Sequence, residues 1–469
     1  LAPENFPRLN NISTSWSVLL FALLASIVTG VIFGLAPALH AGRADLTHAL
    51  KEAARGSTGS GKQARTRRSL VVTEFALSMV LMVAATLLLR SFWDLLRVPL
   101  GFNPENVMAV RTRLPDPNDP KVDLYGTVEQ EAPFLREVLR RVRTLPGVEE
   151  AAIGDTAAIP LDQSLQDLKR ISEGQYLVTF EGRDAQGDQP SVVERSCVTP
   201  GYFHLLGLPR LRGRLFDDED DDKSPQVAVI NEAFARTYWP NQDPLGKRFK
   251  RNRADAPWIT VIGVTVNART VSLAQASVPQ AYLDIYQTNE KRLAVFLRGH
   301  LDTAAIPEEV RKQVQSVDPT LPLSGAQTLK ETVSASLAER RFSMEMVGLF
   351  AVTALLLAGL GIYGVISYIV SARTHEIGIR LALGAQKRNI LSEVLQQGLL
   401  LVVAGAAAGL AGALIVSHLM EGLLYGVRPT DRLTFAGVTA LFVCVALLAC
   451  YIPARRAMQI EPVVALRHE

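Results

Sequence analysis

Cysteine is scarce in this chain of 469 residues, and Cys197, Cys444 and Cys450 give neither a disulfide framework nor a metal-ligand spacing. Cys444 and Cys450 share one apolar block and read as small packing residues. Histidine is equally sparse. His375-Glu376 starts like a zinc-protease helix, but Ile379 stands where the second histidine is required. His204 is isolated and reads as structural. No complete nucleotide-binding signature occurs. Gly56-Ser-Thr-Gly-Ser-Gly61-Lys62 resembles a phosphate loop until Gln63 replaces the magnesium-holding hydroxyl, so a flexible linker is the better reading. The acidic run Asp217 to Asp222 lacks the central glycine and terminal glutamate of a calcium loop and reads as solvated. A net charge of +3 excludes a strongly basic nucleic-acid binder. With no nucleophile and base in one pattern, the expectation is a chain with no catalytic, metal or cofactor-binding residues, not an enzyme and without a nucleic-acid partner.

What is abundant is apolar sequence, and it is unevenly spread. Hydrophobic residues make up 48% and charged residues 20%, with mean hydropathy +0.17. Five stretches are long and apolar enough to cross a bilayer: 17–39, 69–89, 346–372, 394–417 and 433–454. Lys and Arg crowd the segments 40–68, 373–393 and 455–469, which places these in the cytoplasm. The large middle, residues 92–342, and the loop 418–432 then lie outside. Glu74 is the single charge within the second span and reads as snorkelling or pairing at the cytoplasmic face. Gly405 and Gly409, four apart, are candidates for close helix packing in the membrane.

Two chain ends match. Ala36-Pro37-Ala38-Leu39-His40-Ala41 and Ile452-Pro453-Ala454-Arg455-Arg456-Ala457 both close a span, and Ala49-Leu50-Lys51 repeats as Ala465-Leu466-Arg467 in the same register. The economical reading is a duplicated module. Residues 1–39 would be the outer segment and last transmembrane helix of a truncated first copy. Residues 40–68 would be its cytoplasmic amphipathic helix and linker. The second copy would comprise a transmembrane helix 69–91, the external domain 92–342, transmembrane helices 343–372, 394–417 and 433–454, a cytoplasmic loop 373–393, an outer loop 418–432 and a cytoplasmic tail 455–469. Residue 1 is Leu, so the expectation is that the chain continues upstream. Within the external domain, strand 106–114, helix 129–145 and strand 148–153 are followed much later by strand 293–297, helix 306–317 and strand 321–324. Two βαβ units imply a ferredoxin-like core. The strand-rich stretch at about 165–290 reads as an inserted lobe, with a short helix capped by Asn231 and stopped by Pro240.

The cytoplasmic loop contains Glu376-Ile-Gly-Ile-Arg-Leu-Ala-Leu-Gly-Ala385, a short amphipathic pattern in which Glu376 and Arg380 can pair at i,i+4 and Gly384 suits a helix end. This segment resembles the signature of FtsX-like, MacB-type permeases of ABC transporters, as does the tail Pro453-Ala-Arg-Arg-Ala457 with Glu461-Pro-Val-Val-Ala-Leu-Arg467. In the external block, Val198-Thr-Pro-Gly-Tyr-Phe203, Val229-Ile-Asn-Glu232 and Trp239-Pro-Asn-Gln-Asp-Pro-Leu-Gly-Lys-Arg248 resemble the MacB-like periplasmic core. The duplicated layout is similar to acidobacterial-type orphan permeases. The resemblance implies an α-helical polytopic protein of the bacterial inner membrane with an α+β periplasmic domain. It implies coupling by mechanotransmission to a separate ABC ATPase subunit, for efflux or export; the alternative is an FtsX-like signalling protein acting on a periplasmic partner. By position, Glu376, Ile377, Gly378, Ile379, Arg380, Leu383 and Gly384 would form the ATPase-coupling surface. Further partners implied are membrane lipid, a homodimer or pseudo-dimer with the first module, and a periplasmic adaptor.

Overall fold

The computed structural model describes residues 61–117, 123–162, 176–182, 191–253, 255–372, 379–380, 383 and 386–457, with scattered helical residues between 16 and 27. Most of the first span, residues 31–60, the tail beyond 457 and hence the proposed repeat lie outside the described residues. Two compact units emerge, Arg97–Glu339 and the segments that flank it. Helix α1 (Gly61–Leu96) runs for 36 residues. The expected linker through residue 68 is therefore shorter than the sequence suggests. Lys, Gln, Ala and Arg after Gly61 are good helix formers and let the span's helix extend back into the basic segment. At its other end Arg90 to Leu96 continue the helix, as a stalk would.

The external unit begins with β1 (Val107–Arg113), α2 (Val128–Val142) and β2 (Val148–Asp155). Thr127 opens α2 with a capping box closed by Gln130, and Phe134, Leu135, Val138, Leu139 and Val142 form its buried stripe. Gly147, at φ +80°, makes the turn into β2 that a residue with a Cβ would resist. Next come β3 (Tyr176–Phe180), β4 (Ser191–Val198), the single-turn α3 (Tyr202–Leu205), β5 (Arg210–Gly213) and β6 (Val227–Asn231). Then follow α4 (Glu232–Tyr238), β7 (Arg248–Arg251), β8 (Ile259–Thr265) and β9 (Gln280–Asp284). The unit ends with β10 (Arg292–Gly299), α5 (Ile306–Val317) and β11 (Leu323–Thr328).

Strands β11, β1, β10 and β2 lie side by side in that order, all antiparallel. Helices α2 and α5 contribute Phe134, Val138, Val310 and Val314 to the same core as Met108, Val110, Ile153, Val295 and Leu297. The inserted stretch does something the alternation of residues does not announce. Strands β4, β3, β7, β8, β6 and β9 pair in sequence, and β9 returns to pair in parallel with β4, closing a six-stranded ring. Closure leaves no free edge among those strands. Phe180, Phe234, Tyr238, Trp239 and Phe249 cluster there, with Phe234 and Phe249 centroids 5.4 Å apart.

The helical unit is completed by α6 (Leu329–Ala372), α7 (Lys387–Leu419) and α8 (Arg432–Ala457). Four helices, 68–96, 329–371, 388–419 and 432–456, are long and apolar enough to cross a membrane among the described residues. At about 1.5 Å per residue, the 44 residues of α6 span roughly 66 Å, about twice a bilayer's hydrocarbon thickness. The helical run before residue 346 is not evident in the sequence, where only the apolar stretch from 346 announces a helix. The core of this unit is the face of α1 bearing Val71, Phe75, Met79, Val83 and Leu87, four residues apart, packed with Ile362, Ile366, Val402, Phe442 and Ala446.

Candidate functional site

Three regions carry the residues singled out by the sequence or by their burial. In the coupling segment, Glu376, Ile377, Gly378 and Gly384 lie outside the described residues. Ile379 and Arg380 are helical, and Leu383 donates its N–H to the Ile379 carbonyl at 3.0 Å. Leu383 is 83% exposed and Ile379 38% exposed. Leu383 is thus largely uncovered, and Ile379 about one-third so. Arg380 Nη1 donates to Glu393 Oε2 of α7 at 2.9 Å, so its described partner is a residue thirteen positions on. An exposed ion pair of this kind contributes little stability.

Within the membrane helices, glycine sets how closely α7 approaches α1. A Cβ on Gly405 would lie 2.7 Å from Phe75, one on Gly409 2.9 Å from Met79, and one on Gly412 3.0 Å from Val80. The same face of α1 reaches the other two helices. Phe75 meets Phe442 edge-on at 5.0 Å, and Ser78 Oγ donates to the Ala354 carbonyl at 3.0 Å. Glu74 lies against Gly361 of α6, where a Cβ would fall 2.8 Å from Oε2. Its side chain is thus part of a helix contact, which the sequence reading of a snorkelling carboxylate did not anticipate. At the far end, Arg90 pairs with Asp431, whose Oδ2 also accepts from Thr434 N–H at 3.0 Å and Thr434 Oγ1 at 2.6 Å, capping α8. Tyr425 N–H donates to Ser91 Oγ at 2.7 Å, tying the loop between α7 and α8 to α1.

The external unit buries several ionisable groups that the sequence did not single out. Glu131 on α2 is fully enclosed; its Oε2 accepts from Asn289 Nδ2 at 2.7 Å and Glu290 N–H at 3.1 Å. Burial, reinforced by the Glu290 charge, pushes its carboxyl up to about 8. Asp284, at the end of β9, is also enclosed and is pushed up to about 8 by burial and by Asp220 and Asp217. One oxygen accepts from Tyr286 N–H at 2.8 Å. Both groups are shut away from solvent, so neither is placed to act on a substrate. Asp220 departs from the solvated-loop reading: it is 4% exposed and takes two hydrogen bonds from Arg214, at 2.5 and 2.7 Å. His204 is exposed instead and pairs with Glu150 at 2.7 Å.

Asp155, Cys197 and Glu290 bring one sulfur and two carboxylate donors within 4.8 Å of one another. The donor set suits a soft divalent cation, but Arg195 Nη1 already stands 2.5 Å from Glu290 Oε1 and its Nη2 3.8 Å from Asp155. Burial raises the Cys197 thiol well above its usual range and keeps it neutral. The guanidinium therefore compensates the two carboxylates, and the cluster is a buried ion network joining β2, β4 and the turn before β10.

Two family descriptions match the chain. The MacB-like periplasmic core domain covers residues 76–317, and the FtsX-like permease C-terminal region covers residues 348–462. The macrolide export ATP-binding/permease protein MacB of Mannheimia succiniciproducens is 26% identical over 291 residues, 57% of this chain and 42% of that protein. The probable syringafactin export ATP-binding/permease protein SyfD of Pseudomonas syringae pv. syringae is 24% identical over 346 residues, 69% of this chain and 49% of that protein. The chain thus spans about half the length, or less, of these curated relatives. Among solved structures, the periplasmic region of MacB from Actinobacillus actinomycetemcomitans aligns with 51% of this chain and 98% of its own, at 14% identity and a TM-score of 0.32.

Proposed function

This chain belongs to the family of FtsX-like permeases that carry a MacB-like periplasmic core domain, and from that premise we propose that it is the permease subunit of an ABC transporter. It sits in the bacterial inner membrane with residues 97–339 in the periplasm. A separate ATPase subunit supplies the hydrolysis, and the permease converts it into conformational work on the periplasmic side, for efflux or export. The four-stranded sheet with α2 and α5 on this reading is a ferredoxin-like core, and the ring of strands is its inserted lobe. A periplasmic adaptor and a second module, in a pseudo-dimer or as a homodimer, are further partners. Gly405 and Gly409 act as packing positions that hold α7 against α1.

The observation that carries the proposal is the length of α6. A helix of 44 residues cannot be contained in hydrocarbon and behaves as a rod, able to carry displacement along its axis. The coupling surface is assigned to residues 374–385, where Leu383 is largely uncovered, Ile379 about one-third so and Arg380 half exposed. Two apolar anchors beside a cation fit a protein partner better than bulk water. Co-purification of the full chain with its cognate ATPase tests this. Deletion of 374–385 is expected to abolish association, and Arg380→Glu with Leu383→Asp to weaken it about tenfold or more. Unchanged association after the deletion refutes the coupling assignment.

A further inference from the structure

On α1, Met82, Thr86 and Arg90 follow one another every four residues; on α8, Leu433, Gly437 and Leu441 do the same, with Thr434 and Val438 beside them. The two stripes line a groove of about 380 Å³. Along α1 it extends over eight residues, about 12 Å. Its walls are methyl and methylene groups except at one end. The Thr86 hydroxyl is occupied, donating to the Met82 carbonyl at 2.8 Å. At the polar end Arg90 is half exposed and gives Nη1 to Asp431. Asp431 Oδ2 already serves Thr434 twice, so it can offer Arg90 little more. A guanidinium has five N–H donors, and the remaining ones meet no protein acceptor among the described residues. Arg432, exposed, stands one residue before the lining residue Leu433. Arg90 is the one charged residue among those that line the groove, and Asp431 beside it offsets part of its charge.

We infer that this groove binds an anionic phospholipid, its phosphodiester on Arg90 and one acyl chain laid between α1 and α8. An apolar slot with a cation at its membrane-surface end is complementary to that amphiphile in both halves: the chain replaces lipid solvent along Met82, Val438 and Leu441, and the phosphate takes the guanidinium's spare donors. A zwitterionic headgroup satisfies the slot but brings its own cation to the mouth. The inference rests on α1 and α8 crossing the bilayer.

The test is native mass spectrometry on the purified, delipidated full chain, titrated with phosphatidylglycerol or with phosphatidylcholine of the same acyl chains. One phosphatidylglycerol is expected to bind about tenfold tighter than phosphatidylcholine, the worth of a charge-assisted contact. Arg90→Gln is expected to erase that preference. Asp431→Asn, which keeps an N-cap and releases Arg90, is expected to keep or sharpen it. Gly437→Phe fills the slot, since a Cβ there meets nothing within 4 Å, and is expected to abolish tight binding of both lipids. Wild-type behaviour of Arg90→Gln and Gly437→Phe overturns the inference. So does loss of preference in Asp431→Asn, which makes Arg90 merely a strut, or displacement of the lipid by inorganic phosphate, which makes the site a free-anion site. Recovery of the protein in the soluble fraction without detergent would be the distinct failure of the membrane reading.

Discussion

Glu131 shows how a single side chain couples the external unit to pH. Its folded carboxyl keeps a proton up to about pH 8, while in the unfolded chain it ionises near the ordinary 4.5. Between those values the folded state binds more protons, so this group's contribution to stability falls as pH rises through that window. Asp284 acts in the same direction, and the lowered carboxyls of Asp123 and Asp318 act only at lower pH. Glu131→Gln can keep both hydrogen bonds from Asn289 and Glu290 with one amide oxygen and carries no charge to bury. Its apparent melting temperature in detergent should exceed the wild type's at pH 8, by the equivalent of about 1–3 kcal/mol, and match it near pH 5. A variant that melts lower at pH 8, or an unchanged slope between pH 5 and 8, contradicts a buried neutral carboxyl. Glu131 was invisible in the sequence because a glutamate in the first turn of a helix normally serves the helix dipole in solvent. Only the turn at Asn289, 158 positions on, encloses it.

At the scale of elements, local chemistry was read well where it is self-contained. Asn231 accepts from Phe234 N–H at 2.8 Å and starts α4, which ends at Tyr238 just before Pro240. The apolar stripe of α2 likewise acts within a few residues. Three elements are longer than expected, α1 by its basic start, α6 by its polar start and α7 by its start at Lys387. In α1 the added turns are charged or polar residues of favourable helix propensity with no apolar stripe to betray them, whereas the start of α6 does carry one, Leu329, Val333 and Leu337 at four-residue spacing, too short beside its polar neighbours to announce a helix that runs on into the span. The polar start of α6 supplies its own test. Ser334 is exposed, and Ser334→Pro removes a helical N–H and crowds the Lys330 carbonyl, at a cost of about 3 kcal/mol or more. If α6 transmits displacement, the variant should still co-purify with the ATPase yet lose ATP-driven export, while Ser334→Ala retains both. Full export in the proline variant argues against a rigid rod.

For the whole molecule, Arg97–Glu339 holds a hydrophobic core of its own, from Met108 through Phe249 to Leu321. Expressed alone as 97–339, it should be soluble and unfold in a single cooperative denaturant transition. Two well-separated transitions would mean that the four-stranded sheet and the ring of strands fold apart.

The apolar blocks, the positively charged segments between them and the turn and cap residues were determined by the sequence itself, because hydrophobicity, charge and local hydrogen bonding each act on a residue or its near neighbours. Closure of β9 onto β4, the seating of Glu74 and the glycines of α7 against facing helices, the enclosure of Glu131, and the groove beneath Arg90 were decided by tertiary structure alone. Each depends on residues far apart in the chain reaching one place, and no local period or propensity carries that information.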